Sequence, residues 1–175
     1  MSDDGTGGYP WPAGERLTRD LAAIVSCAGL TVCDLGCGRG ALGCAALASG
    51  ARRVAFADVN PDALATAEAI VADRGWSARA SFHRHRWDEP IPLAPYDLIL
   101  GGDILYRPDF FSELMSTIAA SLAADGRCLL SDPRKRLDPE LAGLASAHGL
   151  ALRTKRRSDH TIAWLTVDSG HRLND

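Results

Sequence analysis

The residues best suited to chemistry lie in one short segment, where an acidic side chain stands two positions ahead of a glycine cluster. Glycines let a strand turn sharply into a helix and let a ligand approach the bare backbone. Asp34 adds a carboxylate that attracts cations within Coulomb reach. S-adenosylmethionine carries an ammonium and a sulfonium, so the segment predicts a site for this cofactor, which becomes S-adenosylhomocysteine after methyl transfer. The predicted contacts in the turn are Gly36, Cys37, Gly38 and Gly40.

A dinucleotide site is the competing interpretation of the same segment. Residues 38–43 match the pattern G-x-G-x-x-G, whose turn cradles a pyrophosphate at the start of a helix. The carboxylate of Asp34 beside that turn would repel the phosphates. The motif therefore favours a donor without phosphate, although a glycine turn with a capping Asp would share this pattern.

A second acidic residue strengthens the cofactor prediction. Asp58 ends a short apolar segment about 20 residues beyond the glycine turn, where a carboxylate can accept hydrogen bonds from ribose hydroxyls. The next residues, Val59 and Asn60, lead into a helix start at Pro61, so we expect both at the mouth of the same site. A turn or capping role is the plainer alternative for Asp58.

The methyl acceptor is predicted to lie at the end of the fourth strand. That strand leaves through Gly101 and Gly102, which remove side-chain bulk where donor and acceptor must meet. Asp103 and Tyr106 follow, and a carboxylate with a phenol can hold an amine by charge-assisted hydrogen bonds and aromatic contact. Both are predicted as catalytic residues. Asp103 would alternatively cap the helix after Pro108, and Tyr106 would alternatively be a packed residue of the loop.

Length and composition indicate one compact enzyme domain. The chain has 175 residues, of which 46% are hydrophobic, and a net charge of −3. We expect frayed residues 1–8, one methyltransferase domain over 9–168 and a tail over 169–175. An acidic, glycine-rich start and the lack of an 18-residue apolar run predict a cytoplasmic protein without a membrane segment. The five cysteines include no C-x-x-C pair and are odd in number, which disfavours both a disulfide framework and a metal site.

Alternating helical and strand patterns predict the fold class, an α/β, doubly wound, mostly parallel seven-stranded sheet with an antiparallel last strand. Helices are predicted over 14–27, 41–49, 61–74, 110–124 and 139–148. Strands are predicted over 31–35, 53–58, 79–86, 96–100, 127–131, 150–156 and 161–167, and the connector from 87 to 95 is too rich in proline for a helix. Ligands of such sheets bind at the carboxyl ends of the strands.

The motif at residues 34–40 together with Asp58 resembles the class I, seven-β-strand methyltransferases over nearly the whole chain. Asp103 to Tyr106 resembles the D-x-x-Y signature of their protein lysine methyltransferase branch. Residues 11–14 and 132–133 are similar to the W-P-x-G and D-P segments of the lysine methyltransferases that act on the electron-transfer flavoprotein β subunit. The resemblance implies that Trp11 lies over the cofactor and that Trp87 and Asp88 lie beside its adenine. Trp87 would alternatively cover the end of the sheet.

The resemblance implies a protein lysine methyltransferase, and two other functions are weighed against it. A small-molecule N- or O-methyltransferase and a non-catalytic cofactor-binding protein are the alternatives. Nucleic acid is disfavoured because the N-P-P-Y-like turn of adenine-directed enzymes is missing at 102–106. A basic cluster suits an acidic protein surface or an RNA backbone. Its members are Arg134, Lys135, Arg136, Arg153, Lys155, Arg156 and Arg157. The sequence leaves the oligomeric state open.

Overall fold

One seven-stranded sheet forms the centre of the protein. The computed structural model describes residues 11–133 and 138–168. The strands are β1 (Thr31–Leu35), β2 (Arg53–Asp58), β3 (Ala80–Arg84), β4 (Tyr96–Gly102), β5 (Leu122–Asp132), β6 (Leu150–Arg156) and β7 (Thr161–Val167). The helices are α1 (Pro12–Ile24), α2 (Ala41–Ala48), α3 (Pro61–Asp73), α4 (Phe111–Ser121) and α5 (Asp138–Ala147).

The strand order is β3-β2-β1-β4-β5-β7-β6, and only β7 runs antiparallel to its neighbours. This topology confirms the predicted mostly parallel sheet with an antiparallel last strand. The chain reverses its direction across the sheet between β1 and β4, which pair side by side. Their carboxyl ends, at Leu35 and Gly102, therefore open the crevice where ligands of such sheets bind.

Helices cover both faces of the sheet, which buries the strands on both sides. Leu17 of α1, Leu47 of α2 and Val71 of α3 pack on one face. Met115 of α4 and Leu141 of α5 pack on the other. Each fully buried side chain of this size contributes about 1.5–3 kcal/mol of transfer free energy. The strands therefore hold their carboxyl ends on a rigid frame.

Most predicted elements form at the predicted residues, and the largest difference concerns α4 and β5. The helix expected to continue to Ala124 ends at Ser121, because Leu122 is extended, with φ −77° and ψ 138°, and pairs with Tyr96. Leu122 is buried, so its side chain contributes to the core instead of to a helix face. The helical spacing of apolar residues continues past Ser121. It gives no sign that Leu122 pairs with Tyr96, which lies 26 residues earlier in the chain.

Smaller differences concern α1 and β3. Helix α1 begins at Pro12, two residues before the predicted start, and ends at Ile24 because Val25 is extended. Strand β3 is shorter at both ends than the predicted 79–86. All five cysteines are free and buried.

Several predictions concern residues outside the described ranges. These are the frayed start at 1–8, the tail at 169–175 and the basic residues Arg134, Lys135 and Arg136. In the described part of the chain, none of the helices has both the length and the apolar character that a membrane crossing requires.

Candidate functional site

Asp34 lies near the end of β1 and is almost fully buried, with 1% exposure. Its Oδ2 accepts the backbone N–H of Gly43, in the first turn of α2, at 2.7 Å. Burial raises the pKa of Asp34 to about 8; the Gly43 hydrogen bond opposes this shift and the nearby Asp58 adds to it. No ion pair to Asp34 occurs among residues 11–133 and 138–168. A bound cation would therefore stabilise its ionised form.

Asp58 connects the end of β2 to the glycine turn. Its Oδ2 accepts the N–H of Gly38 at 2.7 Å, and its Oδ1 accepts the N–H of Asn60 at 2.9 Å. The side chain of Asn60 caps α3 by accepting the N–H groups of Asp62 and Ala63. These bonds fix the Asp58 carboxylate at the mouth of the crevice. Asn60 lies beside it, and its side chain has the structural role of capping α3.

The glycine turn is in direct contact with the loop that follows β4. Gly36 has φ +66°, a conformation that favours glycine, and its N–H donates to Ala57 at 2.8 Å. A Cβ on Gly36 would lie 2.7 Å from Cγ2 of Ile104. Ile104 belongs to the Asp103–Tyr106 loop, so the predicted donor turn and the predicted acceptor loop pack against each other.

Asp103 holds the start of α1. Its Oδ2 accepts the N–H of Gly14, and the N–H of Ala13 also donates to this carboxylate. Asp103 has 9% exposure and φ +56°, and its own N–H donates to the carbonyl of Ser131 at 2.8 Å. Burial raises the pKa of Asp103, while the Gly14 hydrogen bond lowers it and Asp132 raises it further. The helix that Asp103 caps is therefore α1, and not the helix after Pro108.

Tyr106, at the far end of the Asp103–Tyr106 loop, packs against Trp87. Tyr106 is 45% exposed, and its ring meets that of Trp87 edge to face, with centroids 6.1 Å apart. Trp87 itself is 4% exposed, and its carbonyl accepts the hydroxyl of Thr117 on α4. The structure thus places Trp87 in the core beneath Tyr106, near the adenine-side residues but with little ring surface open for stacking.

The predicted adenine side contains more charge than the sequence indicated. Asp88 is exposed and forms two hydrogen bonds with Arg86, at 3.0 and 2.9 Å, which lower its pKa to about 2. A cavity of about 260 Å³ lies beside these residues and is lined by Val59, Arg84, Arg86 and Glu89. Val59 was predicted here, whereas the two arginines were not.

The start of α1 lies against the loop that follows β4, because Gly14 donates to Asp103. Trp11 directly precedes α1 and is 48% exposed. One turn later, Arg16 forms an ion pair with Asp159 of the β6–β7 turn at 2.7 Å. Gly14, Arg16 and Asp159 were not predicted as site residues. The W-P-x-G segment was a signal for Gly14 alone, because the ion pair of Arg16 and Asp159 joins residues far apart in the sequence.

These residues fit a cationic, ribose-bearing cofactor. Asp34 offers a buried carboxylate that forms no ion pair within the described residues, and Asp58 offers fixed oxygens at the crevice mouth. Gly36 packs against Ile104 of the Asp103–Tyr106 loop, and Gly102 packs against Gly14 of α1. No group of three or more metal-ligating side chains occurs in the described part of the chain. The fold and the site together define a Rossmann-like methyltransferase.

Comparison with known families agrees with this class. A family model described as "Methyltransferase domain" matches residues 26–164, which is most of the chain. The chain therefore belongs to this methyltransferase domain family. The predicted cofactor, S-adenosylmethionine, is confirmed at the level of the family.

Two kinds of curated relative are protein methyltransferases. A histidine protein methyltransferase 1 homolog of Rattus norvegicus is 31% identical over 149 residues, covering 67% of this chain and 41% of the relative. A ribosomal protein L11 methyltransferase of Teredinibacter turnerae is 35% identical over 134 residues, covering 73% of this chain and 40% of the relative. The chain thus spans about two fifths of these relatives.

Solved structures share the fold. A ribosomal protein L11 methylase from Lactobacillus delbrueckii subsp. bulgaricus aligns with a TM-score of 0.74 at 19% identity, covering 89% of this chain and 79% of that chain. The magnesium protoporphyrin IX methyltransferase of Synechocystis PCC 6803, solved with bound S-adenosylmethionine, aligns with a TM-score of 0.71 at 23% identity, covering 89% and 77%.

Proposed function

We propose that the protein transfers the methyl group of S-adenosylmethionine to a side-chain nitrogen of a protein, with the lysine amine as acceptor. The observation that carries this proposal is the loop after β4, where buried Asp103 and half-exposed Tyr106 follow the bare backbone of Gly102. Ile104 of this loop packs on the donor turn at Gly36, so both halves of the reaction would meet here. The protein substrates in the names of the relatives support the same class of acceptor.

The donor side would be bound by two carboxylates with separate tasks. S-adenosylmethionine supplies an activated sulfonium methyl group, so its transfer needs alignment and an unprotonated nitrogen. Asp34 would attract the cationic amino acid end from within its buried position. Asp58 would accept the ribose hydroxyls with lone pairs not used by Gly38 and Asn60. The positions of the two carboxylates, near the end of β1 and at the end of β2, support both proposed roles.

The acceptor side would be formed by Asp103 and Tyr106. The carboxylate of Asp103 holds the N-terminal turn of α1 and retains lone pairs for the incoming nitrogen or its water. Its raised pKa makes it a better proton acceptor than an exposed aspartate. The exposed ring of Tyr106, supported by the edge of Trp87, would restrict the acceptor side chain. Alignment and proton removal would thus come from adjacent residues.

The purified protein incubated with methyl-labelled cofactor and a cell extract tests the proposal. We expect the label in protease-sensitive material and, by mass spectrometry, on lysine. Tyr106→Phe and Asp103→Asn should lower incorporation, whereas Asp125→Asn, an exposed carboxylate on β5, should not. Label confined to small molecules or nucleic acid would reject a protein acceptor.

A histidine acceptor is the second candidate, and the rat relative favours it. The imidazole is largely neutral near pH 7, so its nitrogen needs less proton removal than a lysine amine. The same mass spectra separate the two candidates. Methylation of histidine alone would retain the protein acceptor and replace lysine.

A further inference from the structure

We propose that the free edge of β6 binds an acidic, extended segment of the acceptor protein as an added strand. This inference rests on the proposed protein acceptor and assigns it a recognition surface. Among residues 11–133 and 138–168, β6 (Leu150–Arg156) is the last strand of the sheet and pairs with β7 alone. An edge strand presents a row of backbone N–H and C=O groups that can pair with another extended chain.

The charge on this edge is of one sign. The basic edge consists of Arg153, Lys155, Arg156 and Arg157, and all four side chains are exposed. Strand β6 contains no acidic residue, although the chain as a whole has a net charge of −3. An acidic segment that pairs with the backbone of β6 would bring its side chains beside these cations, which complements the charge on both components.

The basic edge leads toward the methyl-transfer centre. Strand β6 runs parallel to β4, so Arg156 lies at the same edge of the sheet as Asp103. The register links them across the sheet, from Arg156 to Thr161 and from Thr161 to Asp132. An added strand lies one spacing beyond β6, so four strand spacings of about 4.8 Å, roughly 19 Å, separate it from β4. An extended chain covers this distance in about six residues at about 3.3 Å each, so the acceptor residue is expected about six positions from the acidic stretch.

An acidic protein segment fits this edge better than RNA. Single-stranded RNA binds on surfaces that combine basic residues with exposed aromatic rings for base stacking. Within the described residues, the exposed large apolar side chains are Trp11, Leu93 and Tyr106, and none lies on β6. Basic residues on edge strands also prevent aggregation between sheets. That role requires no binding of an acidic segment, so the experiment distinguishes the two.

The first experiment uses the full chain and a fluorescent eight-residue peptide of alternating glutamate and threonine without lysine. We expect binding by anisotropy, and a loss of about tenfold or more in affinity for Arg153→Glu/Lys155→Glu. The control, Arg53→Glu/Arg127→Glu, makes the same charge change on exposed residues at the start of β2 and in the middle of β5, and it should bind as the wild type does. Absent binding, or equal losses in both variants, overturns the proposal.

The second experiment tests strand addition itself. A peptide of the same charge with backbone N-methylation at alternate residues cannot form the strand hydrogen bonds, so it should bind at least about tenfold more weakly. Equal affinity for both peptides would overturn strand addition. A single-stranded RNA oligomer that binds more tightly than the peptide, with a steep dependence on salt, would assign the edge to RNA and contradict the proposal.

The methylation assay keeps this inference distinct from the proposed function. If proteins of the extract are labelled equally by the wild type and by Arg153→Glu/Lys155→Glu, the docking edge is wrong and the function stands. If no protein is labelled but the acidic peptide binds in the expected manner, the function fails and the binding edge stands. Model peptides with one lysine at increasing distance from the acidic stretch should be methylated best near a separation of about six residues.

Discussion

The carboxylate of Asp103 accepts the backbone N–H of Gly14, 89 residues earlier in the chain. Trp11, at the N-cap of α1, contributes no side-chain hydrogen bond to this helix end, so Asp103 supplies the cap from the end of β4. The close contact depends on glycine at both backbones, because a Cβ on Gly102 would lie 2.7 Å from Cα of Gly14. The acceptor loop and the N-terminal helix are thereby joined at one carboxylate.

The first prediction concerns the charge of Asp103. Asp103→Ala removes the cap, and loss of an N-cap costs about 0.5–2 kcal/mol. Asp103→Asn keeps an oxygen that can accept the N–H of Gly14. We expect Ala to lower both the free energy of unfolding and turnover, and Asn to retain stability but not turnover. Denaturant unfolding and steady-state kinetics measure the two effects. Full turnover of the Asn variant would show that Asp103 caps α1 and has no role in proton removal.

The second prediction concerns the contact between Gly14 and Gly102. Gly102→Ala forces two backbones apart, and we expect a loss of about 1–3 kcal/mol in the free energy of unfolding. Gly143→Ala is the matched control, since nothing lies within 4 Å of a Cβ in that position of α5. Alanine there should be neutral or stabilising by up to about 1 kcal/mol. Thermal unfolding of the two variants gives the comparison, and similar melting temperatures would contradict the close contact.

The third prediction is a pH dependence that arises from Asp34. Its pKa is about 8 in the folded protein and 3.8 ordinarily, so the folded state holds a proton that the unfolded chain has lost. Its contribution to the free energy of unfolding should therefore fall as pH rises from about 4 to 8. A cationic ligand favours the ionised carboxylate, so the affinity for S-adenosylmethionine should rise with pH up to about 8.

Calorimetry between about pH 6 and pH 8 measures this effect, with a limit of tenfold in affinity per pH unit for one group. Asp34→Asn keeps an acceptor for Gly43 and removes the titration. We expect weaker and pH-independent binding for that variant. An unchanged pH profile would show that another group is responsible.

The fourth prediction separates the two donor-side carboxylates. 5′-Methylthioadenosine keeps the ribose of the cofactor and lacks its amino acid. Asp58→Ala should weaken the binding of both ligands, because it removes the acceptor of the ribose and of the Gly38 N–H. Asp34→Ala should weaken only the binding of S-adenosylmethionine. Calorimetry of both variants with both ligands tests this division, and equal effects of Asp34→Ala on the two ligands would contradict it.

The strand pattern and the two donor-side carboxylates could be predicted because their signals are local. Each buried strand is a short apolar run. Asp34 is the next-to-last residue of β1, and Asp58 is the last residue of β2. The mostly parallel sheet then places those ends along one edge. The structure agrees with this reasoning at the level of the fold.

The interpretation of Trp87 shows the limit of local reasoning. Trp87 was expected either to offer its ring or edge to the adenine or to cover the end of the sheet, and the structure buries it beneath Tyr106. Its burial depends on α4, whose Thr117 donates to its carbonyl from 30 residues away. The residues near Trp87 in the sequence give no sign of this contact with α4.

The amino-acid sequence by itself determined the order of helices and strands and the chemistry available at the strand ends, because periodicity and glycine placement act over a few residues. Only the tertiary structure decided which groups those carboxylates bind. Asp103 meets Gly14 rather than its own helix, and Asp159 meets Arg16, because packing brings the start of α1 across the ends of β4 and β7. Hydrogen bonds and ion pairs depend on distance in space, which sequence separation does not set.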